Sequence, residues 1–261
     1  VLEARVPDEI GMARWPLVIR RLDVSVHIEG ALAVTEVTEE FFNPASETVE
    51  GLYRVSVPEG AVLQRFAVDR NGRMIDGYVR EQATARAEYE ARVYRGSTED
   101  PALLEWDAPG HYRARIYPIA AGEVRRIAIR YAEWLAPAHD GGPLLYRYPM
   151  AGGERAPHVG ELAFVADVSA DITRIRAGMG ASVDGSRVEL RRSDFRPRSD
   201  LYVELTRAEG SSGHARAFRA GHTAPTRAPG ASAPANEADE RDYWYLPLEL
   251  PADLFGAAEA G

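Results

Sequence analysis

Histidine is the side chain best suited to chemistry near neutral pH, and the chain has six of them. His27, His111, His139, His158, His214 and His222 are scattered, with no H-x-x-x-H or H-x-H spacing to bring two imidazoles onto one metal. His158 with Glu161 and Asp167 comes nearest to a ligand set, but on a strand the three positions do not share a face. His27 lies in an apolar run and reads as a packed or surface residue. Gly178-Met179-Gly180-Ala181-Ser182 suggests a serine site, yet it lacks the Gly-x-Ser-x-Gly order and the strand-to-helix context of a nucleophile elbow. It reads as a turn. Trp106-Asp107 beside Gly110-His111 could enclose a small polar pocket, and a hairpin turn accounts for the same residues. The carboxylate pairs Glu39-Glu40 and Glu88-Glu90 imply no acid–base couple without a cleft to hold them. No catalytic, cofactor-binding or metal-ligating residue is assigned, and no cofactor is expected.

Missing residue types narrow the chemistry further. The chain has no Cys, which excludes disulfides, thiolate metal sites and a cysteine nucleophile. It has no Lys either, so all 31 basic side chains are Arg, a bias that fits high-GC coding. That removes Schiff-base and Walker A lysines. A net charge of −9 opposes a general phosphate-binding surface. The densest basic stretch, Arg187, Arg191, Arg192, Arg196 and Arg198, is interleaved with Asp184, Glu189, Asp194 and Asp200, a charge-balanced solvated face. Nucleic acid is not an expected partner. No run approaches the roughly 20 apolar residues that span a bilayer, so no direct membrane insertion is expected. The first residue is Val, not Met, and an upstream segment is expected to have been removed.

The elements that would position these residues are mostly strands. Residues 1–20 read as an irregular arm, with Pro7, Gly11 and Pro16 and an anchor in Trp15. From Arg21 the pattern becomes period-2: Val24, Val26 and Ile28, a Glu29-Gly30 turn, then Ala33, Thr35, Val37, Glu39 and Phe41, a long hairpin ending at Asn43-Pro44. Strands follow at 51–57, 62–69 and 73–79, with Asn71-Gly72 as a hairpin turn. Residues 81–94, rich in Ala, Glu and Arg with Ala85, Tyr89 and Val93 at four-residue spacing, predict one short amphipathic helix closed by Gly96. Strands resume at 102–106, 111–118 and 124–135. After a Gly/Pro-rich break, residues 138–220 predict a second β-rich unit with strands at 144–148, 160–168, 173–176, 186–190 and 201–206. Residues 221–242 read as a flexible linker, 243–255 as a returning strand and 256–261 as a tail. The fold class expected is all-β, an antiparallel sandwich with one short helix followed by a second sandwich-like unit.

Many small motifs in order make residues 21–137 resemble the vault protein inter-alpha-trypsin (VIT) domain family. They run from Phe41, Phe42 and Asn43 through Glu50-Gly51-Leu52-Tyr53, Val57-Pro58, Ala61-Val62, Gly72-Arg73, Ile75 and Gly77. They continue with Glu81, Ala85, Tyr89, Ala91, Gly96, Leu103-Leu104-Glu105, Tyr112, Pro118, Gly122-Glu123, Ile129 and Tyr131. Where the family has a Phe-Pro-Leu-Pro-like stretch this chain has Val55-Ser56-Val57-Pro58, which keeps the apolar character. Phe41, Asn43, Tyr53, Pro58, Gly72, Glu81, Tyr89, Gly96, Leu104, Pro118, Gly122 and Tyr131 are the structural motif, and each has an architectural reason. Pro58 and Gly60 suit a turn, Gly72 a positive φ, Tyr89 an aromatic anchor, and Glu81 the positive end of the helix dipole.

The resemblance implies a non-enzymatic scaffold for protein–protein interaction, part of a longer secreted, periplasmic or surface protein. In the family a von Willebrand factor A domain commonly follows, with a metal motif Asp-x-Ser-x-Ser. Neither Asp23-Val24-Ser25-Val26-His27 nor Asp167-Val168-Ser169-Ala170-Asp171 satisfies it, so that domain in cis would lie outside this chain. The alternative is a carbohydrate-binding sandwich using Trp15, Trp106, Trp134 and Trp244, provided those rings are exposed. A hydrolase with an unrecognised site is a weaker alternative.

Overall fold

The computed structural model describes residues 2–6, 15–81, 103–139, 141–150, 158–208, 216–217 and 244–245. In chain order these form β1 (Leu2–Arg5), β2 (Trp15–Pro16), β3 (Val18–Glu29), β4 (Leu32–Phe42), β5 (Val49–Ser56), β6 (Val62–Arg70) and β7 (Arg73–Asp76). Next come β8 (Tyr78–Glu81), β9 (Leu103–Ala108), β10 (His111–Ile119), β11 (Val124–Trp134), β12 (Leu144–Tyr148) and β13 (Val159–Val168). The series ends with β14 (Ile172–Ala177), β15 (Ser182–Asp184), β16 (Arg187–Phe195), β17 (Leu201–Arg207), β18 (Arg216–Ala217) and β19 (Trp244–Tyr245). The described residues are all-β.

The period-2 patterns become faces. On β4, Ala33, Thr35, Val37 and Phe41 are buried while Glu36 between them is exposed; on β11, Ile127, Ile129 and Tyr131 are buried. These strands lie in an eight-stranded sheet ordered β15-β16-β13-β3-β4-β11-β6-β7, antiparallel except for the parallel pair β13 and β3. A six-stranded sheet runs β2-β1-β5-β10-β9-β8, and a three-stranded sheet runs β12-β17-β14.

Both smaller sheets pack on the same face of the large one. Phe41 of β4 meets Tyr53 of β5 edge-on at 6.1 Å, and Tyr53 stacks on Phe66 of β6 at 6.1 Å. Six residues from Phe41 on the same side of β4, the Thr35 hydroxyl lies 3.0 Å from the Tyr146 hydroxyl of β12. Tyr146 and Tyr148 then pack on Phe164 of β13 at 6.3 and 6.2 Å. One apolar face is thus covered by two sheets of different origin, and a single buried cluster runs beneath both. The opposite face carries ion pairs, among them Arg21 with Asp23 at 2.6 Å, Arg187 with Asp167 at 2.8 Å, and Arg130 with Glu36 at 3.3 Å.

Several expectations change. The N-terminal arm is not irregular throughout, because Leu2–Arg5 pairs antiparallel with β5 and Leu2 is fully buried. There it presses on Gly51, where an added Cβ would sit 2.7 Å from Leu2 Cδ1. Two inward residues are too few to show alternation. The stretch 73–79 is two strands, since Gly77 interrupts it and β8 joins a different sheet from β7. The predicted helix over 81–94 lies outside the described residues except for Glu81, which ends a strand parallel to β9. Residues up to Arg207 of the segment set apart as a second β-rich unit form one compact unit with the residues before them, through β13 and β16 in the large sheet. The second compact unit is Ala208–Gly261, whose described part is Ala208 and the antiparallel pair β18 and β19.

Candidate functional site

Two polar groupings stand out in the first unit. The first ties three chain reversals together. Asn43 is completely buried just beyond β4; its Nδ2 donates to the carbonyls of Glu47, Ile119 and Ala120 at 3.0–3.1 Å, and its Oδ1 accepts from the Ala45 amide at 3.0 Å. Its backbone amide donates to the Glu123 carbonyl, and its carbonyl accepts from Gly122, which adopts φ +69°. The Arg125 guanidinium is buried alongside. It donates to the Asp69 and Pro118 carbonyls and pairs with Glu123 at 2.6 Å, which offsets the cost of burying a cation. On the next residue, Arg126 pairs with Asp69 at 2.6 Å. Arg125 Nε and Asp69 Oδ1 are buried without a hydrogen-bond partner, but the other contacts of the grouping hold the ends of β4, β6, β10 and β11 together.

The second grouping lines a cleft of about 500 Å³. Ile19, Leu22, Val37, Ile129 and Val159 of the large sheet, with Tyr131, form its floor; Tyr53 and Val55 stand on one side, and Tyr148, Pro149 and Met150 on the other. Glu39 also lines it and accepts the Tyr53 hydroxyl at 2.6 Å. Burial, reinforced by the Glu39 charge, raises the Tyr53 pKa well above the ordinary tyrosine value. Burial likewise raises those of Tyr131, Tyr146 and Tyr148, so all four phenols stay neutral. The Tyr131 hydroxyl is buried near Thr35 and Tyr146 without a hydrogen bond of normal geometry.

Two residues beyond Tyr131, Glu133 has a buried carboxylate oxygen with no partner, and burial lifts its pKa from 4.5 to about 7. The folded state therefore holds this proton longer than the unfolded chain does. Stability from this group is complete below pH 4.5, declines as pH rises toward 7, and stays low above it. Glu133→Gln should leave stability unchanged at pH 4 and raise it by about 1–2 kcal/mol at pH 8, a figure discounted for the group's partial exposure. Urea titrations of both proteins across that range provide the check; a gain that is the same at every pH would refute the assignment.

The residues chosen from sequence fall in three places. Phe41, Asn43, Tyr53, Leu104 and Tyr131 are buried. Pro58, Gly72 and Gly122 occupy turns, with Asn71 at φ 51° and Gly72 at φ 80° making the hairpin between β6 and β7; Pro118 lies in β10 beside Arg125. Tyr89 and Gly96 lie outside the described residues. His158 bonds Asp194 at 2.5 Å, while Glu161 and Asp167 pair with Arg21 and Arg187, so the three are not brought together. Residues 178–181 form the turn expected of them, with the Ala181 amide on the Gly178 carbonyl. Gly110 turns β9 into β10. Trp106 and Trp134 are each 48% exposed and Trp15 is half-buried; the Trp244 side chain is outside the described set. Sequence reasoning missed Ser56, whose hydroxyl lies 2.8 Å from His111 Nδ1 at the cleft rim. The two are 55 positions apart and face each other only because β5 and β10 pair, so no spacing announces them. Both are exposed, and among the described residues no third group holds the His111 ring.

The family model for the vault protein inter-alpha-trypsin domain matches residues 19–131. This chain carries a VIT domain. Its match takes in β3 to β10 and most of β11, and hence the Asn43 grouping and one wall of the cleft. The strands β1 and β12 to β17, most of which contribute to the same buried cluster, lie outside the matched residues. No curated protein sequence matches the chain. Among solved structures it is similar to a protein described as nutrient binding from Legionella pneumophila (12% identity, TM-score 0.46, 72% of this chain and 66% of that one). It is also similar to an M1 zinc metallopeptidase from Deinococcus radiodurans (12%, TM-score 0.38, 72% and 42%). A third is yeast LTA4 hydrolase (8%, TM-score 0.39, 72% and 28%). The chain thus spans 66% or less of the length of each.

Proposed function

We propose that the chain is a non-catalytic module of a larger protein, acting as a scaffold in protein–protein interaction. The observation that carries this reading is how the VIT positions are used. Asn43, Tyr53, Leu104 and Tyr131 are buried in architecture, while large apolar side chains stand at the surface away from them. Trp134 is 48% and Val62 63% exposed; Ala132 pairs across from both Val34 and Val62, and Trp134 from Leu32. These form an apolar corner on the solvent side of the large sheet, and aromatic side chains in such positions are common anchors of protein interfaces. A von Willebrand A domain in cis and an extracytoplasmic location belong to the same proposal, supported by the family resemblance. The full-length protein should capture a partner from its native source, and Trp134→Ala should reduce that capture at least tenfold without changing the circular dichroism. Undiminished capture, or none by folded protein, would count against the proposal.

The exposed rings of Trp106 and Trp134 also support carbohydrate recognition as a second reading. Saturable binding of a soluble oligosaccharide that disappears with either tryptophan would favour it over the first.

A further inference from the structure

We infer that the cleft between Tyr53 and Tyr148 is a binding site for an organic ammonium ion with an apolar body. The proposal goes beyond the interaction role and does not depend on it. It starts from Glu39, a half-buried carboxylate at the cleft floor. Its Oε2 takes the Tyr53 hydroxyl at 2.6 Å, and among the described residues no cation pairs with it. The guanidinium that shares the cleft lining, Arg54, is held by Glu3 at 2.6 Å. A carboxylate set among apolar side chains with a single neutral donor leaves charge uncompensated, and a cation there would meet it.

The surroundings select the kind of cation. Tyr53, Tyr131 and Tyr148 all line the same space, and neutral aromatic rings attract an ammonium through their faces. Ile129, Val37 and Met150 offer contact to an apolar body but no hydrogen bond to side-chain polar groups. A volume of about 500 Å³ lies within the range of small-molecule sites. An anionic ligand would face Glu39 and Glu3, and a neutral one would leave Glu39 without its counter-charge.

The test uses the full chain and two probes of nearly equal shape, phenethylammonium and the uncharged 2-phenylethanol, titrated by calorimetry. The ammonium should saturate and bind at least tenfold more tightly than the alcohol. Glu39→Gln keeps an acceptor for Tyr53 and should abolish the preference. Met150→Trp, which fills the mouth from a partly exposed position, should weaken both probes. Equal affinity of the two probes, absence of binding, a preference that survives Glu39→Gln, or affinities left unchanged by Met150→Trp would overturn the proposal. An ammonium group arrives free or on a lysine side chain. A capped leucine–lysine–leucine peptide run beside phenethylammonium distinguishes these, the tighter ligand naming the source.

Discussion

Asn43→Ala is expected to destabilise the protein by about 3–5 kcal/mol, because the substitution removes four hydrogen bonds and leaves buried groups unsatisfied. A single such bond contributes about 1 kcal/mol net, but an orphaned buried carbonyl or amide adds about 1–3. Water cannot simply replace the side chain, since the residue is wholly enclosed between two turns. Asn43→Asp sharpens the point. It retains the acceptor for the Ala45 amide but aims a second carboxylate oxygen at the carbonyls of Glu47, Ile119 and Ala120. It should be at least as damaging as alanine. Guanidinium midpoints of the three proteins measure this directly, and a loss below about 1 kcal/mol for Asn43→Ala would mean that the grouping is dispensable.

Phe164→Ala should cost about 3–5 kcal/mol and, more tellingly, should lower the stability of both smaller sheets together. Phe164 is 1% exposed on β13 and supports Tyr146 and Tyr148 of the three-stranded sheet. Its own strand pairs with β3, whose neighbour β4 carries Phe41 against Tyr53 of the six-stranded sheet. Loosening one should therefore loosen the other. Amide hydrogen exchange reads it: protection at β17 and β10 should fall in parallel. If β17 alone loses protection, the shared core behaves as two independent parts.

The strands themselves were legible in the sequence, since period-2 burial is a local property. The hairpin of β3 and β4, the Asn71-Gly72 turn and β11 all follow from residues within a few positions of each other. Partnership was not legible. The alternation in β13 predicts a strand, but nothing in it says that Val159 will lie beside Ile19. For the same reason the division near residue 138, drawn at a Gly/Pro-rich break, does not coincide with the compact unit that ends at Arg207. Among the residues of the cleft, Tyr53 and Tyr131 are legible as family positions, whereas Glu39 reads as a strand-face residue and as half of a carboxylate pair with Glu40 that lacks a cleft. Its significance depends on Tyr53 from β5 and Tyr148 from β12, which meet it only after three sheets have assembled.

The parallel pairing of β13 with β3 also sets a timetable. Arg21 and Glu161, neighbours across that pair, are 140 positions apart in sequence. At about 5–20 residues per second of synthesis, β3 waits on the order of ten seconds or more for its permanent neighbour. Its other side is occupied early, because β4 follows after a tight turn. During that interval the nascent hairpin offers an unpaired edge along Val24, Val26 and Ile28, apolar and β-branched, the kind of edge that seeks other strands. The ribosome-bound chain is therefore most prone to aggregation before β13 emerges, and the contacts of a chaperone with this protein should concentrate on that hairpin.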